Sequence, residues 1–176
     1  MVVASVSALT SSGQAASYYE SAGEYYADGG QSPSEWQGKG AEELGLSGDV
    51  DRDQFRELLD GKVADQQLGT TRDGKLEHRP GWDVTMSAPK SVSIMAEVAG
   101  DRRLVGAHDR AVKTALAFAE RHAAATRIRT DGIVGRHQTG NLAIASFRHD
   151  TSRAQDPHLH THNVIMNATR DAAGNW

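Results

Sequence analysis

The 176-residue sequence predicts an α+β domain, a two-layer α/β arrangement on a largely antiparallel sheet. Residues 102–125 carry the stripe of a long helix, with Leu104, Val105, His108, Val112, Leu116 and Ala119 near one face. GWDVTMS (81–87), NLAIASF (141–147) and HTHNVIMNA (160–168) read as strands. Asp131-Gly132 falls inside TRIRTDGIVGRH (126–137), where the turn of a hairpin belongs.

The remaining elements follow in chain order. Residues 2–9 read as a short strand, and Ser11, Ser12 and Gly13 as a turn with a candidate N-cap. Residues 14–28 are helical in composition, weakened by Gly23 and stopped by Gly29, Gly30 and Pro33. Residues 34–48 are punctuated by glycine and predict a loop with a short helix at 40–44. Asp51 with Gln54 forms a capping-box pattern, opening a helix over 52–60 that Gly61 ends. Residues 62–80 are polar and read as irregular. SAPKSVSIMAEVAG (87–100) places proline near a helix start and glycine at its end. DAAGNW (171–176) reads as a turn.

Composition narrows the function. There are no cysteines, which removes disulfides, thiolate metal sites and cysteine nucleophiles and fits a reducing cytoplasm. No apolar run approaches the roughly 20 residues that span a bilayer, and the N-terminus lacks a signal-peptide pattern. A cytoplasmic protein without membrane insertion is expected. The net charge is −4, but its distribution is uneven. Residues 1–60 hold 3 basic against 11 acidic side chains, whereas 121–176 hold 7 arginines against 4 acids. A locally basic region can hold phosphates on an acidic chain, although an ordinary solvated surface accounts for the same pattern.

The chemistry concentrates in FRHDTSRAQDPHLHTHNVIMN (147–167). His160 and His162 are two apart, so on a strand they share a face. His149 closes the preceding strand, and the polar stretch 150–157 reads as a connecting loop. If the two strands pair, three imidazoles converge and leave coordination positions open. Spacing alone fits a metal site and a polar strand face equally well. His158 shares the alternation and could be a fourth ligand, a supporting group or a bystander; its place beside Pro157, where the strand has only begun, favours the last two.

All four tyrosines, Tyr18, Tyr19, Tyr25 and Tyr26, lie in the first predicted helix. The seven-residue spacing stacks Tyr18 over Tyr25 and Tyr19 over Tyr26. Aromatic packing explains such pairs, and so does a phenol nucleophile beside an activated phosphodiester. Asp83 alternates with apolar neighbours in its strand. It is a candidate base toward tyrosine, a candidate orienter of a ligating histidine, or an edge-strand carboxylate facing water. Lys90, just after Pro89, is a candidate phosphate contact.

These pieces together resemble a known family. AASYYE (15–20) with EYY (24–26), EWQGKGAEELGLSG (35–48), GWDVTMSAPKSVS (81–93), TGNLAIASFRHDTSR (139–153) and DPHLHTHNVIMN (156–167) are similar to the N-terminal relaxase domain of MobF-type, TrwC/TraI-like conjugative relaxases. The resemblance runs through nearly the whole chain. It implies the HUH-endonuclease fold, a five-stranded antiparallel sheet with helices on its faces and a three-histidine metal site. By position it makes Tyr18 the main nucleophile, with Tyr25 or Tyr26 serving a second strand transfer. His149, His160 and His162 become metal ligands, and Asp83 the acidic partner of the nucleophile and of His160 or His162. The implied reaction is strand-specific nicking of single-stranded transfer-origin DNA through a 5′-phosphotyrosine. The implied cofactor is a divalent ion, Mg²⁺ or Mn²⁺. The implied partners are that DNA with relaxosome accessory and coupling proteins.

Trp36, Trp82 and Arg153 are candidate DNA contacts, with packing or plain surface an equal alternative for each. At position 158 relatives carry glutamine where this chain has histidine. Relaxase domains of the family also continue past this length, so a single C-terminally incomplete domain is expected over 1–176. Two other classes stay open on the residues: a replication-initiation or transposition HUH nuclease, and a non-catalytic metal- or DNA-binding module. The order of parts separates the first, because here tyrosine precedes the histidines, as in relaxases.

Overall fold

A computed structural model describes residues 3–13, 15, 16 and 33–176. The predicted helix at 14–28 and its four tyrosines therefore lie outside the described residues, apart from helical backbone at Ala15 and Ala16.

Five strands form one antiparallel sheet: β1 (Val3–Ala8), β2 (Ser34–Gln37), β7 (Gly81–Ser87), β10 (Ile144–Thr151) and β11 (Pro157–Met166). Their order is β1-β7-β11-β10-β2, with every neighbouring pair antiparallel. The five-stranded sheet expected from the resemblance is present.

Helices α1 (Lys39–Glu43), α2 (Arg52–Leu59), α3 (Lys90–Glu97) and α4 (Arg102–Ala123) accompany it. Asp51 caps α2 through Oδ1, which accepts from the backbone N–H groups of Asp53 and Gln54. Val112 and Leu116 of α4 pack on Met86 and Ile144 from the rear of the sheet, while Ala96 and Val105 close over Leu159. On the front, Phe55 of α2 meets Phe147 edge-on at 5.4 Å and lies 6.5 Å from Trp36. Burying each such side chain contributes roughly 1.5–3 kcal/mol. Among the described residues, no helix is long and apolar enough to cross a membrane.

Several expectations need correction. Residues 34–37 are the edge strand β2 and not loop; Trp36 anchors it at 5% exposure, so it is a core residue and not a DNA contact. Local propensity misses this strand because its pairing with β10 lies more than a hundred residues away. The stretch 62–80 holds two small hairpins, β3 (Lys62–Val63) with β4 (Gln66–Gln67) and β5 (Thr70–Arg72) with β6 (Lys75–Glu77). The strand read at 141–147 starts later and runs on through His149 to Thr151, so the loop shrinks to residues 152–156.

The hairpin at 126–137 forms as β8 (Ala125–Thr130) and β9 (Ile133–Gln138), a ribbon separate from the main sheet. Asp131 and Gly132 both have positive φ, 52° and 81°, as a two-residue hairpin turn requires.

A polar ladder behind the sheet fixes its register. Asn163, fully buried, donates through Nδ2 to the Val84 carbonyl at 2.8 Å and accepts from Ser146 Oγ at 2.8 Å. Gln37 Nε2 in turn donates to Ser146 Oγ at 2.9 Å. Four strands are thereby tied in one alignment. A slip of one residue would both orphan these groups and turn every histidine to the wrong face.

Candidate metal centre

Pairing of β10 with β11 sets His149 directly opposite His160 and Phe147 opposite His162. The three imidazoles form a near-equilateral triangle, with ring centroids 5.2, 5.4 and 5.2 Å apart. One potential ligand atom from each lies within 4.8 Å of the others. His149, His160 and His162 are 2, 7 and 9% exposed.

The second ring nitrogens of His160 and His162 are committed. His160 Nδ1 donates to the His158 carbonyl at 2.7 Å, and His162 Nδ1 lies 2.7 Å from Asp83 Oδ2. Thr85 donates to the same carboxylate oxygen at 3.2 Å and sits 3.1 Å from His162 Nδ1. Donation through Nδ1 leaves the Nε2 lone pair of both rings for a ligand, which is how metal-binding histidines are oriented. Burial holds the His149 imidazole down to about 3, helped by the charges of His162 and His160. His160 is held at about 4, again chiefly by burial. Both rings are neutral near pH 7, the state in which imidazole ligates. Three imidazoles with open coordination positions fit a divalent ion of borderline character.

The backbone carrying these rings is held from the side by α3. Leu159 N–H donates to Ser93 Oγ at 3.0 Å, and Ala88 N–H donates to the Leu159 carbonyl at 2.9 Å. Ser93 is fully buried. From behind, His108 of α4 meets Thr161 Oγ1 at 2.9 Å.

Asp83 is thus joined to His162, and not to His160, because Asp83, Thr85 and His162 project from the same face of adjacent strands. Its other oxygen, Oδ1, is buried without a hydrogen-bond partner among the described residues. His158 stacks on His160, with centroids 4.4 Å apart and planes at 18°, outside the ligand triangle. Lys90 is exposed on the first turn of α3 and donates through Nζ to the Pro157 carbonyl at 2.9 Å. Arg153 is exposed in the loop 152–156. Trp82 is half-buried at the far end of the sheet from the histidines.

Two features escaped the sequence reading. Thr85 was legible as the residue two beyond Asp83 on one strand face. The ribbon face was legible in the alternation of RIRT (127–130): Arg127 and Arg129 share a face, and Arg136 stands directly opposite Arg127. All three are exposed. Like charges directly opposite destabilise a hairpin unless an anion lies over them.

This fold has known counterparts. Residues 12–176 match the family model described as TrwC relaxase. The chain belongs to that family. It is 49% identical over 173 residues to the multifunctional conjugation protein TraI of Escherichia coli, covering 98% of this chain and 10% of TraI. The TraI of strain K12 is 47% identical over the same length. A metal-bound structure of the conjugative relaxase TrwC in complex with oriT DNA superposes with a TM-score of 0.86 at 49% identity, over 99% of this chain and 60% of that one. The metal-free complex gives 0.85 at 49% identity, over 99% and 59%. The chain therefore spans a tenth of the length of the TraI proteins and three fifths of the solved relaxase chains.

Proposed function

We propose that this chain is the DNA-cleaving domain of a conjugative relaxase, nicking single-stranded plasmid transfer-origin DNA with site and strand specificity. The observation that carries the reading is the triangle of His149, His160 and His162, with Asp83 fixed to His162 and its Oδ1 uncommitted among the described residues. The solved complexes of TrwC with oriT DNA support the choice of substrate.

The three histidines would hold a divalent ion, Mg²⁺ or Mn²⁺, which supplies charge neutralisation at the scissile phosphate. The Tyr18 phenol attacks phosphorus. A tyrosine–phosphate ester forms, the bond to the 3′ oxygen breaks, and that oxygen leaves as a hydroxyl once protonated. Asp83 accepts the phenol proton through Oδ1 while Oδ2 keeps His162 oriented. Tyr25 or Tyr26 performs a second transfer, while Tyr19 neighbours Tyr18 in the first pair. Because the ester retains the bond energy, attack by a 3′-hydroxyl rejoins the strand.

Lys90 and Arg153 contact the backbone near the site, and the arginine face of the β8–β9 ribbon holds DNA farther along. Relaxosome accessory and coupling proteins are the partners this role requires, and the cytoplasm is where it is exercised.

The test is a covalent adduct with a labelled transfer-origin oligonucleotide in Mn²⁺. An adduct in the native chain that disappears in Tyr18→Phe and in His149→Ala supports the reading. An adduct unchanged in Tyr18→Phe removes that residue from the role.

A further inference from the structure

His108 is a buried imidazole that the proposed chemistry does not use. It lies on the inner stripe of α4 between Val105 and Val112, where an apolar side chain would continue the packing against the sheet. Its Nε2 meets Thr161 Oγ1 at 2.9 Å, while Nδ1 is buried with no hydrogen-bond partner among the described residues. A buried polar group without a partner is unfavourable, so an apolar residue there would serve the core better. Packing alone does not account for this histidine.

The next residue of α4, Asp109, accepts through Oδ2 from Arg148 Nη1 at 2.8 Å. Arg148 and Thr161 stand directly opposite each other on β10 and β11. Two consecutive helix residues therefore grip one cross-strand pair from behind. That pair is one step in sequence from every member of the histidine triangle. Arg148 precedes His149, and Thr161 lies between His160 and His162. Side chains alternate across a strand, so the grip on the rear face fixes the pleat from which the three imidazoles project forward. A constellation of ligands works only when neighbouring groups hold it close to its productive geometry.

We propose that His108 and Asp109 are positioning residues of the three-histidine centre, holding Arg148 and Thr161 from α4 so that His149, His160 and His162 keep the spacing a divalent ion requires. The proposal rests on the metal-centre reading above and adds to it the residues that secure the ligands from the opposite face of the sheet.

The test separates stability from metal binding in the whole chain. His108→Leu should leave the urea midpoint unchanged or raised, yet weaken Mn²⁺ binding about tenfold in isothermal titration. A role in packing alone predicts native affinity for Mn²⁺. Thr161→Val, which leaves α4 untouched, should weaken binding to a similar degree. The double variant should lose no more than either single one, because both changes remove the same bond. His108→Gln carries an amide donor in place of Nε2 and should restore most of the affinity. Asp109→Ala should also weaken binding, and Asp109→Asn less. In the metal-free protein, amide hydrogen exchange at residues 159–162 should quicken about tenfold in His108→Leu and stay native in α2. The proposal is overturned if His108→Leu and Asp109→Ala bind Mn²⁺ like the native chain, if the losses in His108→Leu and Thr161→Val add in full, or if exchange at 159–162 is unchanged. A native chain that binds no Mn²⁺ would sink the metal-centre reading instead, and the metal-free exchange experiment would still decide whether α4 grips the strands.

Discussion

Asp83 Oδ2 and His162 Nδ1 lie 2.7 Å apart, joining the second residue after Pro80-Gly81 to a histidine 79 positions downstream. The carboxylate fixes the ring's tautomer and raises its basicity as a ligand. Asp83→Asn should therefore weaken divalent-metal binding by about 10- to 100-fold with little change in fold. Isothermal titration with Mn²⁺ measures this, and an unchanged affinity would remove Asp83 from its orienting role.

His158 restrains His160 in a different way, by stacking at 4.4 Å with the planes 18° apart. Stacked aromatic pairs contribute about 0.5–1.5 kcal/mol. His158→Ala should cost about two- to tenfold in metal affinity, and His158→Phe should restore most of it because the ring and not its nitrogens acts. If phenylalanine behaves like alanine, the imidazole nitrogens matter and His158 is a ligand after all.

The buried histidines tie metal-free stability to pH. Their folded-state pKa values, about 3 for His149 and about 4 for His160, lie below the ordinary imidazole value of 6.5. As pH falls below 6.5 the unfolded chain takes up protons that the folded one does not. Stability is then full above pH 6.5 and drops by about 1.4 kcal/mol per unit per ring toward pH 4. Urea unfolding of the metal-free protein at pH 8, 6.5 and 5 should show a flat interval followed by a fall. A midpoint at pH 5 equal to that at pH 8 would contradict the burial of neutral rings.

Gly81 opens β7 at φ 151°, and a Cβ there would collide with the Ile165 carbonyl oxygen on β11. Gly81→Ala should destabilise the protein by at least about 2 kcal/mol, since only backbone movement relieves the clash. Because β7 carries Asp83, the same variant should also bind metal more weakly. Thermal unfolding together with metal titration checks both effects.

The strands bearing the site were legible because each carries its own signal. GWDVTMS alternates over seven residues, and β7 is found over Gly81–Ser87. The His160–His162 spacing already placed two rings on one face. Ser34–Gln37 gave no such signal, because glycines follow it at once and its stability comes from pairing with β10 and from Trp36 packing on Phe55. Trp36 was open between surface and core for the same reason: an indole's burial depends on what folds over it.

By itself, the sequence determined β7, the helices α2 to α4 and the shared face of His160 and His162, since periodicity, capping and spacing act within a few residues of one another. The identity of His162 as the ring held by Asp83, the stacking of His158 and the opposition of Arg127 to Arg136 were decided only by tertiary structure. Each depends on strand register. Register is set by side chains such as Asn163 and Ser146, which bond across strands far apart in the chain. No local pattern encodes such a bond, because its energy exists only once the sheet has assembled.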